Sequence, residues 1–138
     1  MIIDFFIAMN PPTATHQEQR HVISHTTGRV VTIDSPEVKA ARAKLTAYLA
    51  EHAPRAPLDG PIRLQVMWCF PITGKHKNGE YKTSRPDTDN LQKLLKDCMT
   101  KCKYWYDDAQ VCVETVGKLY SDKPGIMIQA EEINHADA

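Results

Sequence analysis

The chain has 138 residues, 42% of them hydrophobic and 25% charged, which is enough for one domain with a buried core. Seventeen Lys and Arg balance seventeen Asp and Glu, so no excess positive charge draws the whole chain to nucleic acid; such affinity has to come from local patches. No apolar run approaches the ~20 residues of a membrane span. The opening "MIIDFFIAMNPP" lacks a basic n-region and carries an acid within its apolar stretch, which argues against a secretory signal.

In chain order, "IIDFFIAM" reads as a first strand, stopped by Pro11 and Pro12. The polar "TATHQEQRHVISHTTG" has no strong period and reads as a loop, with "RVVTI" a short strand after it. "SPEVKAARAKLTAYLAEH" opens with Ser35 as N-cap, Pro36 at the first helical position and Glu37 in the first turn, and Val38, Ala41, Leu45 and Leu49 follow at helical spacing. "APRAPLDGP" ends that helix. "IRLQVMWCF" then alternates: Ile62, Leu64, Val66, Trp68 and Phe70 face one way, Arg63, Gln65, Met67 and Cys69 the other. The basic segment "ITGKHKNGEYKTSR" reads as a mobile loop. A second helix runs from about Asp87 to Lys103, and "AQVCVETVGKLY" and "GIMIQAEEI" read as a hairpin around "SDKPG". The order β-α-β-α-β-β over a single domain, residues 1–138, predicts a two-layer α+β fold with helices packed on a small mixed sheet.

Two acidic pairs carry the chemistry. In "RPDTDNLQK", Asp87 and Asp89 stand one residue apart at the start of the second helix, with Lys93 one turn beyond Asp89. At roughly 100° per residue, Leu91, Leu94, Leu95, Cys98 and Cys102 share one face, and Asp89, Lys93, Lys96, Thr100 and Lys103 share the other. Taken alone, the pair reads as helix capping plus an i,i+4 ion pair. A second pair, Asp107 and Asp108 in "YWYDDAQV", reads alone as a solvated turn. Both pairs flank one helix, however, and the sheet can return the second to the start of that helix. Carboxylates converging beside one lysine are unfavourable without a cation. Hard oxygen ligands suit Mg²⁺ or Mn²⁺, which can activate water for phosphodiester hydrolysis. Lys75, Lys77, Lys82 and Arg85 in and after the basic loop, with Lys96 on the outward helix face, are candidate contacts to a DNA backbone.

"RPDTDNLQKLLKDCMT" and "YWYDDAQV" together resemble the RusA family of Holliday-junction resolvases, which carries an RPDxDNLxK motif, then W-x-D-D-x-Q-V, then a strand with a lysine, here Lys118. The resemblance is specific over residues 85 to 113 and extends to about residue 130; before residue 60 only a strand followed by "NPP" matches. It implies a small, Mg²⁺-dependent homodimeric endonuclease, of bacteria and their prophages, that cuts four-way DNA junctions and needs no organic cofactor. It also implies catalytic, metal-binding acids at Asp87, Asp89 and Asp108, Asp107 as neighbour or auxiliary ligand, and an essential Lys93. The chain departs from that expectation in its neutral overall charge. Two alternatives stay open: a non-catalytic junction-binding module, which lacks metal-dependent nicking, and a metal-dependent nuclease for other branched DNA.

Other residues invite weaker readings. Cys98 and Cys102 have i,i+4 spacing for zinc but lie on the apolar face with no matching His pair, so core packing is favoured. Cys69 and Cys112 also sit in apolar patterns, and all four cysteines are expected reduced and buried in a cytoplasmic protein. His16, His21 and His25 lack a helix to align them as ligands. Trp68 reads as core. Tyr104, Trp105 and Tyr106 suit either base stacking or packing beside the acids.

Overall fold

The structure, a computed structural model, describes residues 1–15 and 20–134. Its strands are β1 (Ile2–Ile7), β2 (Arg20–Ile23), β3 (Val30–Ile33), β4 (Ile62–Pro71), β5 (Val111–Ser121) and β6 (Gly125–Glu132), with helices α1 (Pro36–His52) and α2 (Thr88–Lys101). The main sheet has the order β1-β6-β4-β5, parallel only between β4 and β5, and β2 with β3 forms a separate antiparallel ribbon. The expected α+β architecture is present, with two helices on a mixed sheet.

Side-chain period places the core. Ile62, Leu64, Trp68 and Phe70 of β4 are buried, as are Ile126, Ile128 and Ala130 of β6, and Leu45 and Leu49 of α1 join Leu91, Leu94, Leu95 and Cys98 of α2 against them. Fully burying such side chains contributes roughly 1.5–3 kcal/mol each. Ser35 caps α1 through a hydrogen bond from Val38 N–H to its Oγ, and Pro36 follows at N1. Cys98 and Cys102 donate S–H to the carbonyls of Arg42 and Thr46 on α1, and burial raises both thiol pKa values. They are packing residues between the helices.

Three expectations need correction. β5 and β6 are not a hairpin, because β4 lies between them. The four Cα steps from Ser121 to Gly125 reach about 13 Å, and crossing one intervening strand takes only about 10 Å, so a short polar turn serves either topology. β6 takes the interior place, paired with β1 along one edge and with β4 along the other. Gly125 permits this approach, since a Cβ there would overlap the Phe6 ring and the Ile7 carbonyl. The segment before Arg29 holds a strand, β2, where a loop is expected; His16 and the last four residues lie outside the described ones. Cys112 is exposed rather than buried, on an edge strand that only half meets the core.

Candidate active site

The start of α2 departs from a simple cap. Asp87 occupies the N-cap with extended backbone (φ −72°, ψ 149°), and its carbonyl accepts from Leu91 N–H, yet its carboxylate makes no capping hydrogen bond. Asp89 lies in the first turn and Lys93 one turn on, both exposed. Among the described residues Asp89 and Lys93 form no ion pair, and the side chains of Asp87, Asp89, Asp108 and Lys93 carry no protein hydrogen bond. Capping and an i,i+4 pair therefore do not account for them. The partial positive charge at the helix N-terminus offsets part of the repulsion between Asp87 and Asp89.

The far end of α2 returns the chain to the second acidic pair. Lys103 takes a left-handed conformation (φ 63°) while its N–H bonds the Thr100 carbonyl and Tyr104 N–H bonds that of Met99, a Schellman-type stop. The reversal drives Tyr104 and Trp105 into the core: the Tyr104 hydroxyl donates to Leu49 O (2.6 Å) and the Trp105 indole to Thr100 Oγ1 (2.7 Å). Burial pushes the Tyr104 phenol pKa upward. Only Tyr106 is exposed, so the aromatic triplet is not a stacking platform.

Asp107 then caps a single 3-10 turn, Asp108–Gln110, accepting Ala109 N–H at 2.9 Å. Gln110 binds the turn on both sides. Its side-chain Oε1 accepts from Tyr106 and Asp107 N–H, and its Nε2 donates to the backbone carbonyls of Leu58 and Gly60. Asp107 is thus tied to the turn while Asp108 is left to face solvent.

These elements enclose an open cleft of ≈ 460 Å³ between α2 and β5. Asp89, Lys93 and Lys96 from α2 line it together with Asp108 and with Glu114 from β5; Asp87 and Asp107 are not part of its wall. Among the described residues no three Asp, Glu, His or Cys side chains are gathered tightly enough to enclose a metal ion. The donors nevertheless fit a hard cation: Asp89 and Asp108 offer carboxylates to the same space. Mg²⁺ commonly takes one or two protein carboxylates and completes its shell with water and phosphate oxygens. Two groups went unread in the sequence. Glu114 sits in the strand rather than a motif, and Gln92 is buried among the leucines of α2, its amide bonded to Trp68 and Glu114.

The basic loop is anchored rather than free. Gly79 N–H donates to Tyr120 O, Tyr120 N–H to Glu80 O, and Lys82 N–H to Lys118 O, extending the sheet edge beyond β5. His76 stacks on Tyr120 and pairs with Glu80, while Lys82 lies over the Phe70 and Tyr120 rings and donates to Ser84 Oγ. Lys75, Lys77 and Arg85 are exposed. Lys118 donates to the carbonyls of Ser84 (2.6 Å) and Pro86 (2.7 Å), fixing the backbone just before Asp87 to β5.

Fold and cleft together define a class: a small α+β domain with carboxylates and lysines facing one open groove. The chain belongs to the endodeoxyribonuclease RusA family, whose model matches residues 10–131. It is 36% identical over 91 residues to a crossover junction endodeoxyribonuclease rusA of Lactococcus phage r1t, covering 64% of this chain and 70% of that protein. It is 32% identical over 101 residues to a crossover junction endodeoxyribonuclease RusA of Shigella sonnei (strain Ss046), covering 73% and 74%. An uncharacterized protein, YqaN, of Bacillus subtilis (strain 168) is 26% identical over 118 residues, covering 78% and 82%. The family match thus begins near residue 10, far ahead of the motifs.

Proposed function

We propose that this endodeoxyribonuclease is a Mg²⁺-dependent resolvase that cuts four-way DNA junctions by paired phosphodiester hydrolysis, working as a homodimer in cytoplasmic recombination and repair. The observation that carries the reading is that Asp89, Asp108 and Lys93, whose side chains have no partner among the described residues, face one cleft in a chain of the RusA family. Asp89 and Asp108 would hold the cation, with Asp87 as the third acid at the helix start and Asp107 at the margin, one of its oxygens engaged by Ala109. When bound, Mg²⁺, or Mn²⁺ in its place, polarises a phosphoryl oxygen and makes a bound water a nucleophile at neutral pH. Among the described residues Lys93 has no ion pair or hydrogen bond, and it would balance charge growing on the phosphate.

The test is incubation of the purified protein with labelled four-way junctions and with linear duplex, with and without Mg²⁺. Symmetric nicks are expected in the junction only, and only with the metal. Binding without cutting would favour the non-catalytic module, and cutting of flaps in preference to junctions the broader branched-DNA nuclease.

The basic loop extends the surface offered to DNA. Along β5, Glu114, Val116, Lys118 and Tyr120 succeed one another on the helix side, about 20 Å at the usual strand rise, from the cleft to the loop. Lys75 and Lys77 stand at that end, and Lys82 and Arg85 between. Lys75→Gln with Lys77→Gln is expected to weaken junction binding and reduce the slope of log K against log salt by about 1.8, the value for two phosphate contacts. An unchanged slope places the DNA elsewhere.

A further inference from the structure

The hydrogen bonds behind the cleft run in one direction. Trp68 has one polar side-chain atom, a donor, and its buried Nε1–H bonds Gln92 Oε1 at 2.7 Å. The Gln92 amide nitrogen is thereby turned toward the cleft, where it donates to Glu114 Oε2 at 2.7 Å. The second carboxylate oxygen of Glu114 accepts from Lys96 Nζ at 2.9 Å. Indole and ammonium only donate and carboxylate only accepts, so a flipped Gln92 amide breaks two links at once. Gln92 is 4% exposed among Leu91, Leu94 and Leu95. An apolar side chain would fill that position without desolvating an amide; what the amide adds is a fixed hold on Glu114.

Lys96 needs such a hold. Its four-carbon stem has many rotamers, and ordering it is entropically unfavourable. Lys96 and Glu114 are 24% and 27% exposed, partly withdrawn from solvent and less screened than a surface pair. Both line the cleft with Asp89, Lys93 and Asp108. We propose that Glu114, anchored by Gln92, is a positioning residue that presets the Lys96 ammonium as a phosphate contact for the DNA strand in the cleft. One N–H of the ammonium bonds the carboxylate and two are left for phosphate oxygens. The inference rests on the reading that this cleft takes the DNA backbone.

The sign of one substitution separates this role from a bland one. Removing an acid that merely faces a polyanion tightens binding. Glu114→Gln instead leaves one acceptor oxygen for two donors, so its amide nitrogen must face either the Gln92 amide nitrogen or the Lys96 ammonium; with the charge gone as well, the hold on Lys96 loosens in either orientation, and binding is expected to weaken. The experiment measures junction binding without divalent metal across a salt series, for wild type, Glu114→Gln, Lys96→Met and the double variant, with circular dichroism to confirm the fold. Each single variant is expected to bind about fivefold more weakly near 0.15 M salt and to lose about 0.9 of the log–log slope, the value of one phosphate contact. The double variant is expected to be no weaker than Lys96→Met, because both remove the same contact. Gln92→Leu cuts the hold without changing charge and is expected to show the same reduced slope, which decides the matter if Glu114→Gln misfolds. Unchanged or tighter binding by folded Glu114→Gln, or additive losses in the double variant, overturns the role of Glu114 alone. A wild-type protein that does not bind junctions overturns the reading of the cleft itself.

Discussion

Asp87→Asn, Asp89→Asn and Asp108→Asn are each expected to lower single-turnover junction cleavage on the order of a thousandfold or more, while junction binding holds or tightens. The two halves of that expectation have separate causes. Cleavage falls because an amide is a neutral, weaker ligand for the cation these acids would hold, and the metal's part in activating water would be lost with it. Binding survives because the phosphate contacts are assigned to lysines and Arg85, and removing negative charge from a cleft facing DNA favours association. The structure grades the three positions: Asp89 and Asp108 line the cleft, whereas Asp87 stands at the N-cap outside its wall. Asp87→Asn therefore tests whether the third acid reaches the cation in the working complex. Lys93→Ala belongs in the same series. It has no ion pair among the described residues to lose, so its stability is expected to change within about 0.5 kcal/mol, while its rate falls about 10²–10³-fold as a lost transition-state contact. Near wild-type rates across the series in Mg²⁺ would remove the metal-site reading.

The parts of the fold legible in the sequence are those where one residue meets one environment. Ser35, Pro36 and the leucine spacing of α1 specify a helix, and the alternation of β4 specifies its buried face. Partner choice in a sheet is not local in that sense. The alternation in "GIMIQAEEI" says which side of β6 is apolar but not that β4 and β1 flank it. Lys103 ends α2 early because its left-handed conformation is set by the carbonyls it satisfies, and neither glycine nor proline announces it. In the site, the carboxylates of the two motifs were legible from spacing. The groups set around them were not: Gln110, Gln92 and Glu114 each reach hydrogen-bond partners 18 to 52 positions away. Gln92 also occupies an apolar face, where a period-based reading expects leucine.

Light scattering is expected to find two copies of the chain, joined through the sheet face that neither helix covers. Across that face, register aligns Phe6 with Met127, Met127 with Met67, and Met67 with Gly117. Phe6 and Met127 are 44% and 55% exposed, and the Met67 side chain lies over Gly117, where a Cβ would come within 2.8 Å of it. The row is apolar, partly exposed and centred on β6, an interior strand, which is the kind of exposed patch that marks a contact surface. A two-fold axis through such a patch pairs it with itself and sets two clefts at a fixed separation. That arrangement matches a four-way junction, whose resolution needs two symmetry-related nicks. Met127→Lys places like charges across the axis and is expected to weaken self-association more than about a hundredfold, the scale of an unpaired buried charge. Such monomers keep an intact cleft, so they should still nick junctions but seldom resolve them. Mixing wild type with Asp89→Asn subunits should likewise give dimers that cut one strand. A protein that is monomeric at micromolar concentration, with and without junction DNA, would leave the open face without its second copy.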